Sequence, residues 1–408
     1  MKDQKAIAKT KADEYRVLVI SPHYLTFVKG LIEATSKHVA KLDVLFYHTR
    51  WTELSRFLPA KGNLSSRVRR NTLRRLFDNK GIPKNVKVHI VNGFFGVLDR
   101  RSPAYGDRMF GAMKRRILKE HIEFDMIHAH FLWPCGYVAA RLSREFKVPL
   151  VLTAHGYDIY QLPFTDDAWK KRIGTILNSA TYVTTVSQNN LACIRKLDVE
   201  TPVEIIPNGF DEELFHPEDK SECRRLLNLP LDKKIILTVG NLTPEKNYGL
   251  LIESIKEIKA RRNGFLCILI GTGGLRAELH RSIKEKGLTD YVILAGGRPH
   301  DEIAKWMNSC DVFVLSSLME GNPTTLFEAI ACGIPFVGTK VGGIPDIIAS
   351  DDYGLLCSPD DAHDLADKLI TALDKKWDSK EIARYSKNYT WGTIAERMIS
   401  VYERSFHR

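Results

Sequence analysis

Short runs of β-branched and aliphatic residues alternate along the chain with longer segments of helical periodicity. The first run, Arg16 to Ile20, stops at Ser21-Pro22 and gives way to a predicted helix over Phe27 to Val39. Similar runs return at Leu42 to Tyr47, Val86 to Val91, Met126 to His130, Leu150 to Thr153 and Tyr182 to Val186, most followed by helix-compatible segments. Alternation of this kind predicts a parallel sheet covered by helices on both faces. At Ile205-Ile206-Pro207-Asn208-Gly209 the chain turns, and a second series begins. Its predicted strands are Lys234 to Val239, Phe265 to Ile270, Val292 to Ala295, Val312 to Ser316 and Phe336 to Thr339, with helices from Tyr248, Leu275, Asp301 and Thr325 between them. The expected architecture is α/β: two consecutive Rossmann-like, doubly wound domains over 15–207 and 208–388. A polar tail occupies 1–14, and a last helix, Trp391 to Phe406 within 389–408, is placed to cross back onto the first domain.

Length and composition fit this division. The 408 residues exceed one ordinary core, and 44% hydrophobic with 27% charged residues is a globular composition. Seven scattered cysteines include no C-x-x-C pair and read as reduced thiols. The first fifteen residues are polar and lysine-rich, and no stretch approaches the ~20 apolar residues of a bilayer span. A cytoplasmic location is therefore expected, with attachment at the inner face of the cell membrane left open. The net charge of +11 is uneven: residues 1–205 hold 34 Lys and Arg against 19 Asp and Glu, the remainder 26 against 30. A basic first half is expected to meet something anionic. Residues 64–77 set Leu64, Val68, Leu73, Leu76 and Phe77 among Arg67, Arg69, Arg70, Arg74 and Arg75. Two readings stand for this segment: an amphipathic helix on an anionic membrane surface, or a domain helix with one core face. Phe94, Phe95, Met109, Phe110 and Met113 read as packing residues.

In open parallel sheets, ligands bind beyond the C-terminal strand ends, where helix N-termini offer unpaired amides to phosphate. The first strand of the second series exits into Gly240-Asn241-Leu242-Thr243-Pro244-Glu245-Lys246-Asn247, which brings one lysine to a strand end. The second exits into Gly271-Thr272-Gly273-Gly274, read either as a plain turn or as a place where a ligand approaches the backbone. The fourth exits into Met319-Glu320-Gly321-Asn322-Pro323-Thr324-Thr325-Leu326-Phe327-Glu328. A glutamate in the first turns of a helix can bond a sugar diol along the helix rim, which suits Glu328 to a ribose. Glu320, in a turn held by Gly321 and Pro323, can bond sugar hydroxyls or stabilise cationic character at an anomeric carbon.

The spacing from Glu320 to Glu328 is the E-x7-E pattern and resembles retaining glycosyltransferases of family 4, which have the GT-B fold. Stations in the family's order surround it: Ile206-Pro207-Asn208-Gly209, Gly271-Thr272-Gly273, Cys310-Asp311-Val312-Phe313-Val314 and Pro335 to Pro345. In the first half, Ile127-His128-Ala129-His130-Phe131 and Leu152-Thr153-Ala154-His155-Gly156-Tyr157-Asp158 are similar to members that build cell-surface polysaccharides. The resemblance implies two domains facing across a cleft. It makes His155, Lys246 and Glu320 the catalytic set and gives Lys246 the donor diphosphate, Glu320 the sugar and Glu328 the ribose. Gly240, Asn241, Gly271, Gly273, Arg298, Gly321, Asn322, Thr324 and Thr325 complete the donor site. It further implies a nucleotide-sugar donor, a UDP-sugar ahead of a GDP-sugar, a glycan or lipid-linked acceptor, and retention of configuration by a hexosyltransferase-type enzyme. Many members carry arginine where this chain has Asn241, so Lys246 and helix N-termini carry the leaving group's charge here. The first turn, Ser21-Pro22-His23-Tyr24, also lacks the paired glycines often found there. His128 and His130 are either structural or acceptor-contacting, and Asp158 caps the next turn.

No D-x-D occurs in the sequence, so no essential metal or other cofactor is expected. An oxidoreductase is disfavoured because the first strand runs into Ser21-Pro22 in place of G-x-G-x-x-G. The remaining alternative is a non-catalytic membrane or nucleic-acid binding protein with a vestigial donor site. No nucleic-acid-binding motif is present, and nucleic acid is not an expected partner.

Overall fold

The structure, a computed structural model, describes residues 14–49, 73, 76–93 and 101–407. Contacts divide the chain into two units, Met1–Pro207 with Ile394–Arg408, and Asn208–Thr393.

The first unit is built on seven parallel strands: β1 Arg16–Ser21, β2 Lys41–Thr49, β3 Val86–Gly93, β4 Met126–His130, β5 Leu150–Ala154, β6 Tyr182–Thr185 and β7 Val203–Ile205. Their order is β3-β2-β1-β4-β5-β6-β7. The chain winds outward one way from β1 and the other way from β4, so a crevice opens beyond the ends of these two strands. The central strands are fully buried, as a sheet covered on both faces requires. Met109, Met113 and Ile117 of the helix Pro103–Lys119 enter the core, with Phe110 partly buried against it. Phe94 and Phe95 lie outside the described residues.

The second unit has six parallel strands: β8 Lys234–Val239, β9 Phe265–Ile270, β10 Val292–Gly296, β11 Val312–Leu315, β12 Phe336–Thr339 and β13 Gly354–Cys357. The order is β10-β9-β8-β11-β12-β13, with the switch between β8 and β11. One device pins the switch in both units. Asp125, just before β4, accepts from Arg16 N of β1 at 2.9 Å. Asp311, just before β11, accepts from Ile235 N of β8 at 2.7 Å. Each carboxylate is held in turn by an arginine, Arg16 itself or Arg224. Asp311 thus aligns the strand pair whose far ends carry Lys246 and Glu320.

Two strands, β7 Val203–Ile205 and β13 Gly354–Cys357, escape the sequence pattern: the first is only three residues long with a glutamate at its centre, and the second opens on a glycine. The predicted helix from Phe27 begins at Thr26 and ends at Thr35, where the chain tightens into a 3₁₀ turn, Ser36–His38. Asn85 Nδ2 secures that exit by donating to the carbonyls of Ser36 and Val39. Most of the basic segment 64–77 lies outside the described residues. At its end the amides of Leu76 and Phe77 both donate to Leu73 O at 3.0 Å, a single helical turn, after which Phe77 bridges Tyr24 and Tyr24 N donates to Leu76 O at 2.8 Å. The last helix, Trp391–Phe406, belongs to the first unit from Ile394 onward. All seven cysteines are free thiols, and no helix among the described residues is long and apolar enough to cross a membrane.

Candidate functional site

The β8 and β11 exit loops meet at the switch of the second unit. Lys246 Nζ donates to Glu320 Oε1 at 2.6 Å, and Ser317 Oγ donates to the same oxygen at 2.6 Å. The backbones are fixed independently of this ion pair. Ser316 Oγ bonds the carbonyls of Lys246 and Asn247, and Leu318 N donates to Glu245 O. Asn247 turns the chain into the helix Tyr248–Arg261 with a left-handed φ of 45°, a conformation asparagine tolerates better than most residues. Glu320 is clamped from the far side by the β12 exit loop. Gly343 N donates to Glu320 O at 3.3 Å, and a Cβ on Gly342 would stand 1.6 Å from that oxygen.

The glycine loops pack closely on one another. A Cβ on Gly271 would lie 1.8 Å from Gly240 O, and one on Gly273 2.2 Å from Leu242 O. Their bare backbones are what allows the β9 exit to pack on the β8 exit. Asn241 is exposed on the loop between them. Asn322 is taken up as a brace: its Oδ1 accepts from Asn208 N at 2.7 Å, and Asn208 Nδ2 donates to Asn322 O at 2.9 Å. This tie links the Ile206 to Gly209 turn to the glutamate loop. Past Gly321 and Pro323, the helix Thr324–Ala331 starts without a side-chain cap, leaving first-turn amides of Thr324 and Thr325 at the crevice. Glu328, buried on that helix, is bonded at Oε1 by His300 Nε2 at 3.1 Å. Arg298 is exposed and lies over the Trp306 ring, 5.5 Å from its centroid.

In the first unit, three histidines line the ends of β4 and β5. His128 is fully satisfied, by Tyr402 Oη at 2.7 Å and Thr153 Oγ1 at 2.7 Å, and is structural. His130 Nδ1 and His155 Nε2 share one hydrogen at 3.0 Å, while His130 Nε2 and His155 Nδ1 have no partner. Burial, reinforced by neighbouring imidazoles, pushes both rings well below the usual histidine range, so both are neutral at pH 7. Sequence position suits His155 to exposure at a strand end; it is instead 8% exposed, with Phe27 and Phe131 rings at 4.9 and 4.7 Å. Asp158 does more than cap a turn. Its carboxylate accepts from Gly156 N at 2.8 Å and Leu132 N at 2.9 Å, joining the β4 and β5 exits. Burial raises its pKa.

Lys246 and Glu320 are thus directly paired, Glu328 is paired with His300, and Arg298 has its described contact with Trp306. Ser317, His300 and Gly342 join the arrangement without having been singled out by the sequence. A lone serine or histidine carries no signal of its own. Gly342 sits inside the Pro335 to Pro345 station, where only the fold shows what the glycine touches. Chemically, the second unit presents two carboxylates able to accept from hydroxyls, an ammonium with N–H donors to spare, and helix amides suited to an anion. Among the described residues no group of three or more His, Cys, Asp or Glu is arranged to hold a metal ion.

Residues 219–389 match the family described as glycosyl transferases group 1, and residues 52–214 match glycosyltransferase family 4. An uncharacterized glycosyltransferase of Methanocaldococcus jannaschii is 30% identical over 300 residues, covering 69% of this chain and 75% of that protein. A putative teichuronic acid biosynthesis glycosyltransferase of Bacillus subtilis is 30% identical over 264 residues, 64% of each chain. Among solved structures, the Anabaena protein HepE in complex with UDP superposes with a TM-score of 0.73 at 20% identity, over 95% of this chain and 99% of that one. A further structure of HepE holds UDP-glucose. At such identity the structural likeness shows the fold alone, that of GT-B glycosyltransferases.

Proposed function

The chain belongs to glycosyltransferase family 4, and from that premise we propose that it transfers a sugar, with retention of configuration, from a nucleotide-diphosphate sugar to a glycan or lipid-linked acceptor in the assembly of a cell-surface polysaccharide or glycolipid. The observation that carries this reading is the convergence of Lys246 and Glu320, 2.6 Å apart, at the β8–β11 switch beside the uncapped helix bearing Glu328. Glu328 accepts from the ribose diol. The amides of Thr324 and Thr325 hold the diphosphate together with Lys246, whose Nζ keeps two N–H donors after bonding Glu320. Glu320, desolvated and fixed by Ser317 and the Gly342 loop, accepts from the hydroxyls of the transferred sugar.

As the bond from the anomeric carbon to the phosphate oxygen breaks, negative charge grows on the diphosphate. Lys246 and the helix amides stabilise it more in the transition state than in the ground state. The acceptor oxygen forms the new bond and passes its proton to a phosphate oxygen, so no protein nucleophile is required. His155 takes part as a neutral hydrogen-bonding group. Uracil is the favoured base of the donor, because HepE of the same fold binds UDP and UDP-glucose. The teichuronic acid relative favours a cell-envelope acceptor. That role goes with work at the inner face of the membrane, and the protein requires no metal.

Proton NMR of donor turnover tests the reading. With UDP-glucose, UDP-N-acetylglucosamine and GDP-mannose offered in turn, one donor should be consumed and the first product should keep its anomeric configuration. Inverted product would remove retention; consumption of none, with lipid and glycan extracts supplied, would remove the proposed reaction.

A further inference from the structure

The bond between His300 and Glu328 has no place in the scheme above, yet it occupies the carboxylate to which the ribose is assigned. His300 opens the helix His300–Ser309 directly after the β10 exit, and its side chain is 57% exposed where that of Glu328 is 7%. Its ring packs against Phe215, centroids 5.3 Å apart, which limits how far it swings. The imidazole is thus an accessible group resting on a buried one. We infer that His300 is a positioning residue for the donor's ribose: its Nε2–H, bonded to Glu328 Oε1, orients the carboxylate for the diol, and donor affinity follows the protonation of that imidazole. This rests on the reading of Glu328 as the ribose ligand.

A carboxylate with one fixed bond has lost rotational freedom before the ligand arrives, so less is lost on binding. Three of its roughly four lone-pair sites remain for two ribose hydroxyls. The charged groups that act most on the imidazole are acidic: Glu328 from the helix Thr324–Ala331, Asp211 from the segment after β7, and Asp301 from its own helix. The bond to Glu328, foremost, raises the imidazole's pKa, against an opposing effect of burial. The cationic form makes a charge-assisted bond, about twice as strong as the neutral one. It also adds a positive charge near an anionic donor. Affinity is therefore greatest below the imidazole's folded pKa and declines as pH rises through it.

The test is calorimetric titration from pH 5.5 to 8.5 with the tightest-binding of UDP-glucose, GDP-mannose and ADP-glucose, whose diester phosphates do not titrate there. Wild type should lose affinity about fivefold across the range. His300→Gln, which keeps an N–H donor but no titrating group, should bind within about threefold of wild type at pH 8.5 with no pH step. His300→Ala should bind about tenfold more weakly than His300→Gln at pH 8.5. A flat wild-type profile, or the wild-type step persisting in His300→Gln, would overturn the inference and leave the ribose reading standing. Binding by Glu328→Gln as tight as wild type, or no donor binding at all, would instead overturn the ribose reading.

Discussion

Replacing Gly342 by alanine should displace the Glu320 carboxylate without touching it. Gly342 has a φ of 55°, and its missing Cβ would stand 1.6 Å from the carbonyl oxygen of Glu320. To reach ordinary van der Waals separation, the Glu320 backbone and the β12 exit loop must part by about 2 Å. Left-handed backbone costs alanine ~1–2 kcal/mol and overpacking ~1–3 kcal/mol, together about 3 kcal/mol. At ~2–4 °C per kcal/mol for a unit of this size, the second unit should melt about 6–12 °C lower by calorimetry. The site should suffer more than the fold, since a displacement of ~1 Å at a reacting centre costs on the order of 100-fold in rate. Because Glu320 is assigned to the sugar and Glu328 to the ribose, titration with UDP-glucose and with UDP separates the two effects. The variant should lose affinity for UDP-glucose while holding UDP nearly as wild type does. A variant that melts at the wild-type temperature and keeps the wild-type ratio of the two affinities would refute both the clash and the role of Glu320.

Other perturbations test other parts of the molecule. Tyr402→Phe strips His128 Nδ1 of its partner and should cost ~1–3 kcal/mol, read as a lower melting temperature of the first unit; an unchanged melting temperature would show that the bond is dispensable. The buried histidines should make the first unit acid-labile. Their folded pKa values lie below the unfolded value, about 3 for His128 and well below the usual range for His130 and His155. The unfolded chain therefore takes up protons first, and stability present above pH ~6.5 is lost as pH falls, by ~1.4 kcal/mol per histidine at pH 5.5. A melting temperature flat from pH 7.5 to 5.5 would contradict this. Asp158→Asn turns one acceptor into a donor facing a backbone N–H and should cost about 2–4 kcal/mol; chemical denaturation that finds wild-type stability would show that the two exit loops hold without it.

The parallel strands are legible in the sequence because burial on both faces demands continuous apolar runs, as in β9, where all six residues are buried. β13 is not legible: it opens on Gly354, whose bare Cα allows contact with Phe336 O, and it offers only three apolar side chains. The meeting of Lys246 with Glu320 is legible because both follow strands at the switch of an open sheet, whose ends lie side by side. The reason for Gly271 and Gly273 is not, since the same residue serves a ligand's approach or a loop's, and only coordinates show Gly240 O and Leu242 O in the way. His155 illustrates the limit from the other side: its strand-end position is readable, but the rings of Phe27 and Phe131 that bury it arrive from distant segments. His300 and Ser317 acquire meaning only from the carboxylates they meet.

Calorimetric titration of the protein with UDP, GDP and ADP, in chelator, bears most directly on the claim that the second unit holds a nucleotide-sugar donor without metal. Binding of one nucleotide, UDP by this account, weakened about 10- to 100-fold in both Lys246→Ala and Glu328→Ala, is the predicted result. Binding of none, or binding that both variants leave intact, would contradict it.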